Sequence, residues 1–290
     1  MRVVALLATY NEERFIDSSL RRLSRHGVET YLIDNGSTDR TIEIAEAYLG
    51  DGLIEIEVLP RSGTFSLPAI LARKEQLAAS LDADWLIHLD ADEARVPPSS
   101  DQSLAGALAE ADAAGYNAVN FREFTFLPTV EAPDHDHPRF EETMRHYYAF
   151  ASKSPQKLSA WKRQEGGIDL LTNAGHEVVF PDIKPYPHDF VMRHYLFLSR
   201  EHAIEKYVER HHYAAGLERG WHGWRTALQH EVVEAHPELL ELPRQSELRE
   251  YVSDDELDAS NPLVRHEWCE VWAERVAAAI GPAATDGSEE

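Results

Sequence analysis

"HLDADE", residues 88–93, follows the apolar run Trp85-Leu86-Ile87 and places two aspartates two positions apart where a buried strand ends. Carboxylates this close repel one another unless a cation or hydrogen-bond donors sit among them. Three local structures meet that requirement: a solvated turn, a helix N-terminus, or a metal site. The choice between them turns on what lies upstream.

Upstream, short apolar runs alternate with helical patterns. Residues 3–8, 30–33, 54–59, 85–89 and 117–121 read as strands, being rich in β-branched and apolar residues and bounded by turn formers. Between them, 12–25, 38–48, 67–81 and 101–114 carry apolar residues at helical spacing. This alternation predicts an α/β fold: a Rossmann-like, mostly parallel sheet with helices on both faces. Ligands of such sheets bind outside the carboxyl ends of the strands. Three polar segments follow strands here: Thr9-Tyr10-Asn11-Glu12-Glu13, Asp34-Asn35-Gly36-Ser37-Thr38-Asp39 and Asp90-Ala91-Asp92. All three are expected on one sheet edge. Ser37 or Thr38 can cap the next helix and Asp39 can sit in its first turn, whereas Asp34 has no evident structural task.

Beyond residue 124 the chain changes character. Leu127-Pro128 through Asp134-His135-Asp136-His137-Pro138 reads as a long solvated loop, with metal ligation by its Asp-His alternation the lesser reading. Strand-like pieces follow at 147–151, 178–180 and 193–198, then helical patterns at 200–217, 221–235, 246–251 and 261–279. The expected divisions are 1–125, an α/β half; 126–200, a second half of the same domain; 201–280, a helical C-terminal extension; and 281–290, a disordered polar tail.

Composition narrows the function. The chain has 290 residues and a formal charge of −23, which repels nucleic-acid phosphates. A phosphate-bearing substrate therefore needs a local cation, a bound metal or helix N-termini. No run approaches the roughly 18–20 apolar residues of a membrane span, and the apolar N-terminus reads as a first strand, cut short by Thr9-Tyr10-Asn11. The lone Cys269, beside Trp268 and Trp272 in a helical pattern, reads as a packed thiol. The cytoplasm is the expected compartment, with peripheral contact to a membrane the alternative.

The three post-strand motifs, in this order, strongly resemble the family 2 glycosyltransferases of the GT-A fold, over roughly residues 1–125. Asn173-Ala174-Gly175-His176-Glu177 and Arg193-His194-Tyr195 carry a weaker likeness to the acceptor side of bacterial members. The resemblance implies an inverting transferase that moves a sugar from a UDP- or GDP-linked donor to a glycan, lipid-linked or small-molecule hydroxyl acceptor. Thr9, Tyr10 and Glu12 would line the nucleotide pocket, Asp34 would accept from the base, and Arg73 would help hold the nucleotide. Asp92 would ligate Mn2+ or Mg2+ directly, with Asp90 toward the ribose or acting through water. His194, or secondarily His176, would be a further ligand.

Physical reasoning supports the metal independently, since a hard divalent cation stabilises a departing diphosphate. An inverting reaction also needs a general base; Asp169 is the first candidate, then Glu165 and Glu177. Trp161, Trp221 and Trp224 are candidate sugar-stacking residues, whereas Trp268 and Trp272 read as core. A nucleotidyltransferase shares the sheet and the metal chemistry but opens with a glycine-rich basic loop in place of Tyr10-Asn11-Glu12-Glu13. A catalytically inactive nucleotide-sugar or glycan-binding domain is the other alternative.

Overall fold

A computed structural model describes residues 1–60, 66–151, 157–209 and 228–280. Trp221, Trp224, His211, His212 and the 281–290 tail lie outside the described residues.

The first strand shows how the core is built. β1 (Val3–Thr9) sends Val3, Ala5 and Leu7 into one apolar cluster and Val4 and Leu6 into another. A strand that buries alternate residues on opposite sides must be covered on both faces. β2 (Glu29–Asp34), β3 (Leu53–Val58) and β4 (Trp85–Asp90) join it in parallel, in the order β3-β2-β1-β4. One face is covered by α1 (Ile16–Arg25), which buries Ile16, Leu20 and Leu23 at helical spacing, and by α4 (Leu104–Ala113). The other is covered by α3 (Leu67–Ser80), with Pro68 in its first turn.

The sheet continues past β4. β8 (Leu158–Lys162) runs antiparallel to both β4 and β6 (Ala118–Phe126), and β6 pairs with β7 (His146–Phe150) and β9 (Phe190–Tyr195). β5 (Glu93–Val96) pairs antiparallel with β9. Residues well beyond 125 thus enter the same sheet as the first motifs. A short helix, α5 (Phe140–Thr143), precedes β7, and after β9 come α6 (Arg200–Ile204), a π-helical turn (Glu205–Glu209), α7 (His230–Ala235) and α8 (Glu270–Ile280). A third apolar cluster, including Phe197, Tyr207, Cys269 and Trp272, seats this region. No helix among the described residues is long and apolar enough to cross a membrane.

The structure corrects several expected elements. The second helix, α2 (Thr41–Glu46), begins later than the expected residue 38, after a loop in which the Thr38 N–H donates to Asn11 Oδ1 (2.8 Å); Asp39, which accepts from the Thr41 N–H (2.9 Å), takes the capping task given to Ser37 or Thr38. Residues 246–251 form a 3-10 turn (Gln245–Glu247) and a short edge strand, β10 (Arg249–Glu250), because pairing with β7 outweighs helical spacing. The last helix starts at Glu270 rather than residue 261, and Val179 makes only an isolated bridge to Asp169. β5 escaped notice because its charges, Glu93 and Arg95, are buried against each other (2.8 Å) and disguise a core strand.

Trp161 is fully buried in β8, facing Leu86 across the ladder, so this ring is core and unavailable to a sugar. Trp161→Ala is expected to cost about 3–5 kcal/mol, read from the urea midpoint; a loss under about 1 kcal/mol is the surface-residue range and would contradict this placement.

Candidate active site

The parallel register assembles the site. Thr9 is the partner of Asp34, and Ala8 that of Asp90, so the ends of β2, β1 and β4 lie side by side. Adjacent strands are roughly 4.8 Å apart. The three polar segments therefore share one edge.

Two of them are stitched together. Asn35 N–H donates to Thr9 O (2.8 Å), Asn11 N–H to Ser37 Oγ (2.9 Å), Glu12 N–H to Thr41 Oγ1 (2.7 Å) and Glu13 N–H to Asp39 Oδ2 (3.1 Å). Asn11 holds the left-handed conformation (φ 54°) that this turn requires. Asp34 has a structural task after all: one carboxylate oxygen accepts from the Gly36 and Ser37 N–H groups (both 2.9 Å), and the other accepts from the Ser37 and Thr9 hydroxyls. Tyr10 and Glu12 are half-buried on the same edge.

"HLDADE" sits in a lattice of opposite charges. Asp90 is open, its side chain 60% exposed, whereas Asp92, Glu93 and Glu123 are buried. Each acid faces a cation. Lys74 Nζ lies 4.0 Å from Asp90, Arg95 bonds Glu93, Lys157 bonds Glu123, and Lys206 bonds Asp92. The chain's strong acidity concealed this local supply of positive charge. Lys74 is completely buried; its ammonium contacts His88 Nδ1 (2.8 Å) and donates to Leu89 O (3.1 Å). Burial pushes Lys74 down to about 8, against the pull of Asp90 and Glu93. His88 is held neutral by burial and by Lys74. On its other side is Gly175, in a left-handed turn (φ 82°), where a Cβ would come within 2.9 Å of His88 Nε2. The Asn173-Ala174-Gly175-His176-Glu177 turn is thereby pressed beneath the aspartates. Lys74 was legible: Ile70, Leu71, Leu77 and Ala78 form the buried stripe of α3, and Lys74 falls inside it. Arg95, Lys157 and Lys206 carried no comparable signal.

His194 lies between two acids. Its Nδ1 is 2.6 Å from Glu123 Oε1 and its Nε2 is 3.6 Å from Asp92 Oδ2. Burial would lower Asp92 charge, but Lys206 and His194 hold its carboxyl well below the usual range; Lys157 and His194 do the same for buried Glu123. Among the described residues, one set of three ligand-type side chains brings donor atoms within 4.8 Å of one another: Glu123, His194 and His266. The Asp-His loop is outside it; His135 is bound to Thr143 and Asp136 to Arg14.

Other expected residues are placed differently. Arg73 is paired with Glu57 (2.8 Å) under α3. Asp169 accepts from the Thr172 N–H (2.9 Å) and hydroxyl, bonds that hold its carboxyl below the usual range and weaken it as a base. Glu165 follows β8, whose Lys162 pairs with Trp85 at the amino end of β4, so it occupies the edge opposite Asp90 and is separated from the cluster. Glu177 is half-buried and accepts from Asn173 (3.2 Å). His176 next to it lies within electrostatic reach of Glu93, Glu123 and His194.

Burial disfavours the His194 cation, yet Glu123 and Asp92 outweigh this and raise the imidazole to about 9. A raised folded value stabilises the fold fully below about pH 6.5, the unfolded value, and that contribution is lost as pH rises through about 9. In chelator-containing buffer, the melting-temperature gap between the wild type and His194→Gln should narrow across this window; a gap that grows with pH would contradict the assignment.

The profile of Glycosyl transferase family 2 matches residues 5–156. No curated protein sequence matches. Among solved structures, S. aureus TarS 1-349 aligns at 14% identity over 82% of this chain and 69% of that one, with a TM-score of 0.40. S. aureus TarS 1-349 in complex with UDP-GlcNAc aligns at 20% identity over 44% of this chain, with a TM-score of 0.31, and is spanned over only 34% of its length. Glucosyl-3-phosphoglycerate synthase from Mycobacterium tuberculosis, in complex with Mn2+, UDP and glucosyl-3-phosphoglycerate, aligns at 22% identity over 43% of this chain and 44% of that one, with a TM-score of 0.31. With the family profile covering more than half of its 290 residues, three polar loops gathered on one sheet edge and a charge-balanced Asp-x-Asp, the chain belongs to glycosyl transferase family 2.

Proposed function

We propose that the protein moves a sugar from a UDP- or GDP-linked donor to a hydroxyl acceptor, with inversion and with Mn2+ or Mg2+ on the diphosphate. The observation that carries this reading is the alignment of Thr9, Asp34 and Asp90 along one edge with Asp92 and His194 beside them. Nucleotide binding falls to Thr9, Tyr10, Glu12 and Asp34. Three of the roughly four acceptor positions of Asp34 are spent on its own turn, and an N–H of uracil or guanine would take the fourth in place of the long Thr9 hydroxyl bond (3.4 Å).

The donor set suits a hard divalent cation: the open Asp90 carboxylate, Asp92 and the His194 Nε2, with His176 in reserve. Glu123 on Nδ1 fixes the ring so that Nε2 faces Asp92, the orientation that metal-binding histidines usually receive from a carboxylate partner. Such a cation supplies Lewis-acid stabilisation of the leaving diphosphate. The chain's own residues do the rest. Lys74 and Lys206 hold the two aspartates at fixed positions and keep positive charge beside a group that gains negative charge as the sugar departs. Glu177, on the turn anchored against His88, is the favoured group to take the acceptor's hydroxyl proton, since Asp169 is weakened as a base and Glu165 is on the wrong edge. The acceptor enters from the side formed by the Asn173-Ala174-Gly175-His176-Glu177 turn, and a cytoplasmic or membrane-peripheral setting suits such a substrate pair.

A thermal-shift panel of nucleoside diphosphates with Mn2+, Mg2+ or chelator tests the reading, because a ligand that binds the native state raises its melting temperature. A metal-dependent rise with UDP or GDP is expected, and the absence of a rise with any nucleotide would refute it. Asp92→Asn should abolish metal-dependent transfer while leaving the far-ultraviolet circular dichroism unchanged; normal turnover at saturating Mg2+ would remove Asp92 from the metal.

A further inference from the structure

Strand β9 has two working faces. His194 points into the acid cluster, and Arg193, next to it, points to the opposite side. On that side lies a cavity of about 440 Å3 against α1, with Val96 and Pro97 in its lining. Among the described residues, every basic side chain around it besides His26 is an arginine: Arg21, Arg22, Arg25, Arg139 and Arg193.

Two of these form its floor. Arg22 and Arg193 are each only 12% exposed and share one carboxylate, Glu141, at 2.5 and 3.4 Å. Arg193 is loosely held: its bonds to Glu141 and to the Tyr251 hydroxyl are both 3.4 Å, and its Nε, which makes no hydrogen bond among the described residues, is only ion-paired with Asp254 Oδ1 at 3.5 Å. A buried guanidinium N–H without a hydrogen bond is uncommon and has capacity for an acceptor better aligned than Asp254. Arg25, exposed on the last turn of α1, makes no hydrogen bond or ion pair among the described residues. The other carboxylates of the lining are engaged, Asp17 with Arg21 and Glu142 with Arg139. Five arginines face four carboxylates, so positive charge is left over in a protein of net charge −23.

From this geometry we infer a second binding site, separate from the donor edge, for a small phosphate-bearing ligand. The planar guanidinium fork matches pairs of phosphate oxygens. The cavity has the volume of a small-molecule site. In the site, the phosphate accepts from Arg193 and Arg22 at the floor and from Arg25 at the rim, while Val96 and Pro97 face the organic part of an ester.

The test is calorimetric titration of the full chain with inorganic phosphate and with glycerol 3-phosphate at constant ionic strength. It uses the wild type, Arg25→Ala, Arg139→Ala at the opposite rim, and Asp90→Asn as a donor-edge control. Both arginines are solvent-facing, so their variants keep the fold. Saturable binding is expected in the wild type and in Asp90→Asn, weakened about tenfold in Arg25→Ala, the size of one lost charge-assisted hydrogen bond. Binding of both probes identifies an ester site, and binding of phosphate alone identifies a free-anion site; either supports the phosphate cavity. No saturable binding of either probe overturns the inference. So does equal affinity in the wild type and both arginine variants, as does loss in Asp90→Asn alone.

Discussion

Four carboxylates, Asp90, Asp92, Glu93 and Glu123, stand within one small region, three of them buried, and the structure holds only because each has a cation of its own. An uncompensated buried charge costs several kcal/mol, a large part of a domain's total stability. The cations come from distant places: Lys74 from α3, Arg95 from β5, Lys157 from the start of β8, His194 from β9 and Lys206 from the π-helical turn after α6. The acid cluster therefore draws five separate elements to one place. The chain beyond residue 125 is tied to the Asp-x-Asp region by His194 and Lys206, which reach Asp92, as well as by its apolar clusters.

Polarity and packing divide the labour here. The interior strands and the helix stripes supply the burial that drives folding, while the carboxyl edge of the sheet gathers groups with little reason to be together except to hold something charged. Under the proposed chemistry, this balance also serves the reaction. Positive groups fixed before substrate arrives need no rearrangement as a diphosphate gains charge, which is the usual source of electrostatic catalysis.

Much of this was legible in the sequence. Short apolar runs and the 3.6-residue period located the parallel strands and the helices of the first half, and the polar segments after β1, β2 and β4 met on one edge as the topology required. What the sequence concealed has physical causes. β5 is a core strand whose charges cancel only in three dimensions. Trp161 gives no sign in one dimension of whether its ring meets a sugar or the β4 strand. Asp34 was read as free because its partners are backbone N–H groups of its own turn, which every sequence has and none displays. The pairing of remote lysines with acids depends on tertiary closure, so −23 was a poor guide to the field at the site.

The hydrogen bonds between the loops after β1 and β2 carry one more implication. Asn11, Glu12 and Glu13 are tied to Ser37, Thr38, Asp39 and Thr41 before any ligand is present. Under the proposed chemistry, a nucleotide meeting that edge would find a backbone whose conformational freedom was surrendered during folding, so little further ordering entropy would be charged against its affinity there. The two loops behave as a single part. A change of sequence in one is felt in the other, and evolution would be free to vary substrate choice chiefly in the segments that this stitching leaves untouched.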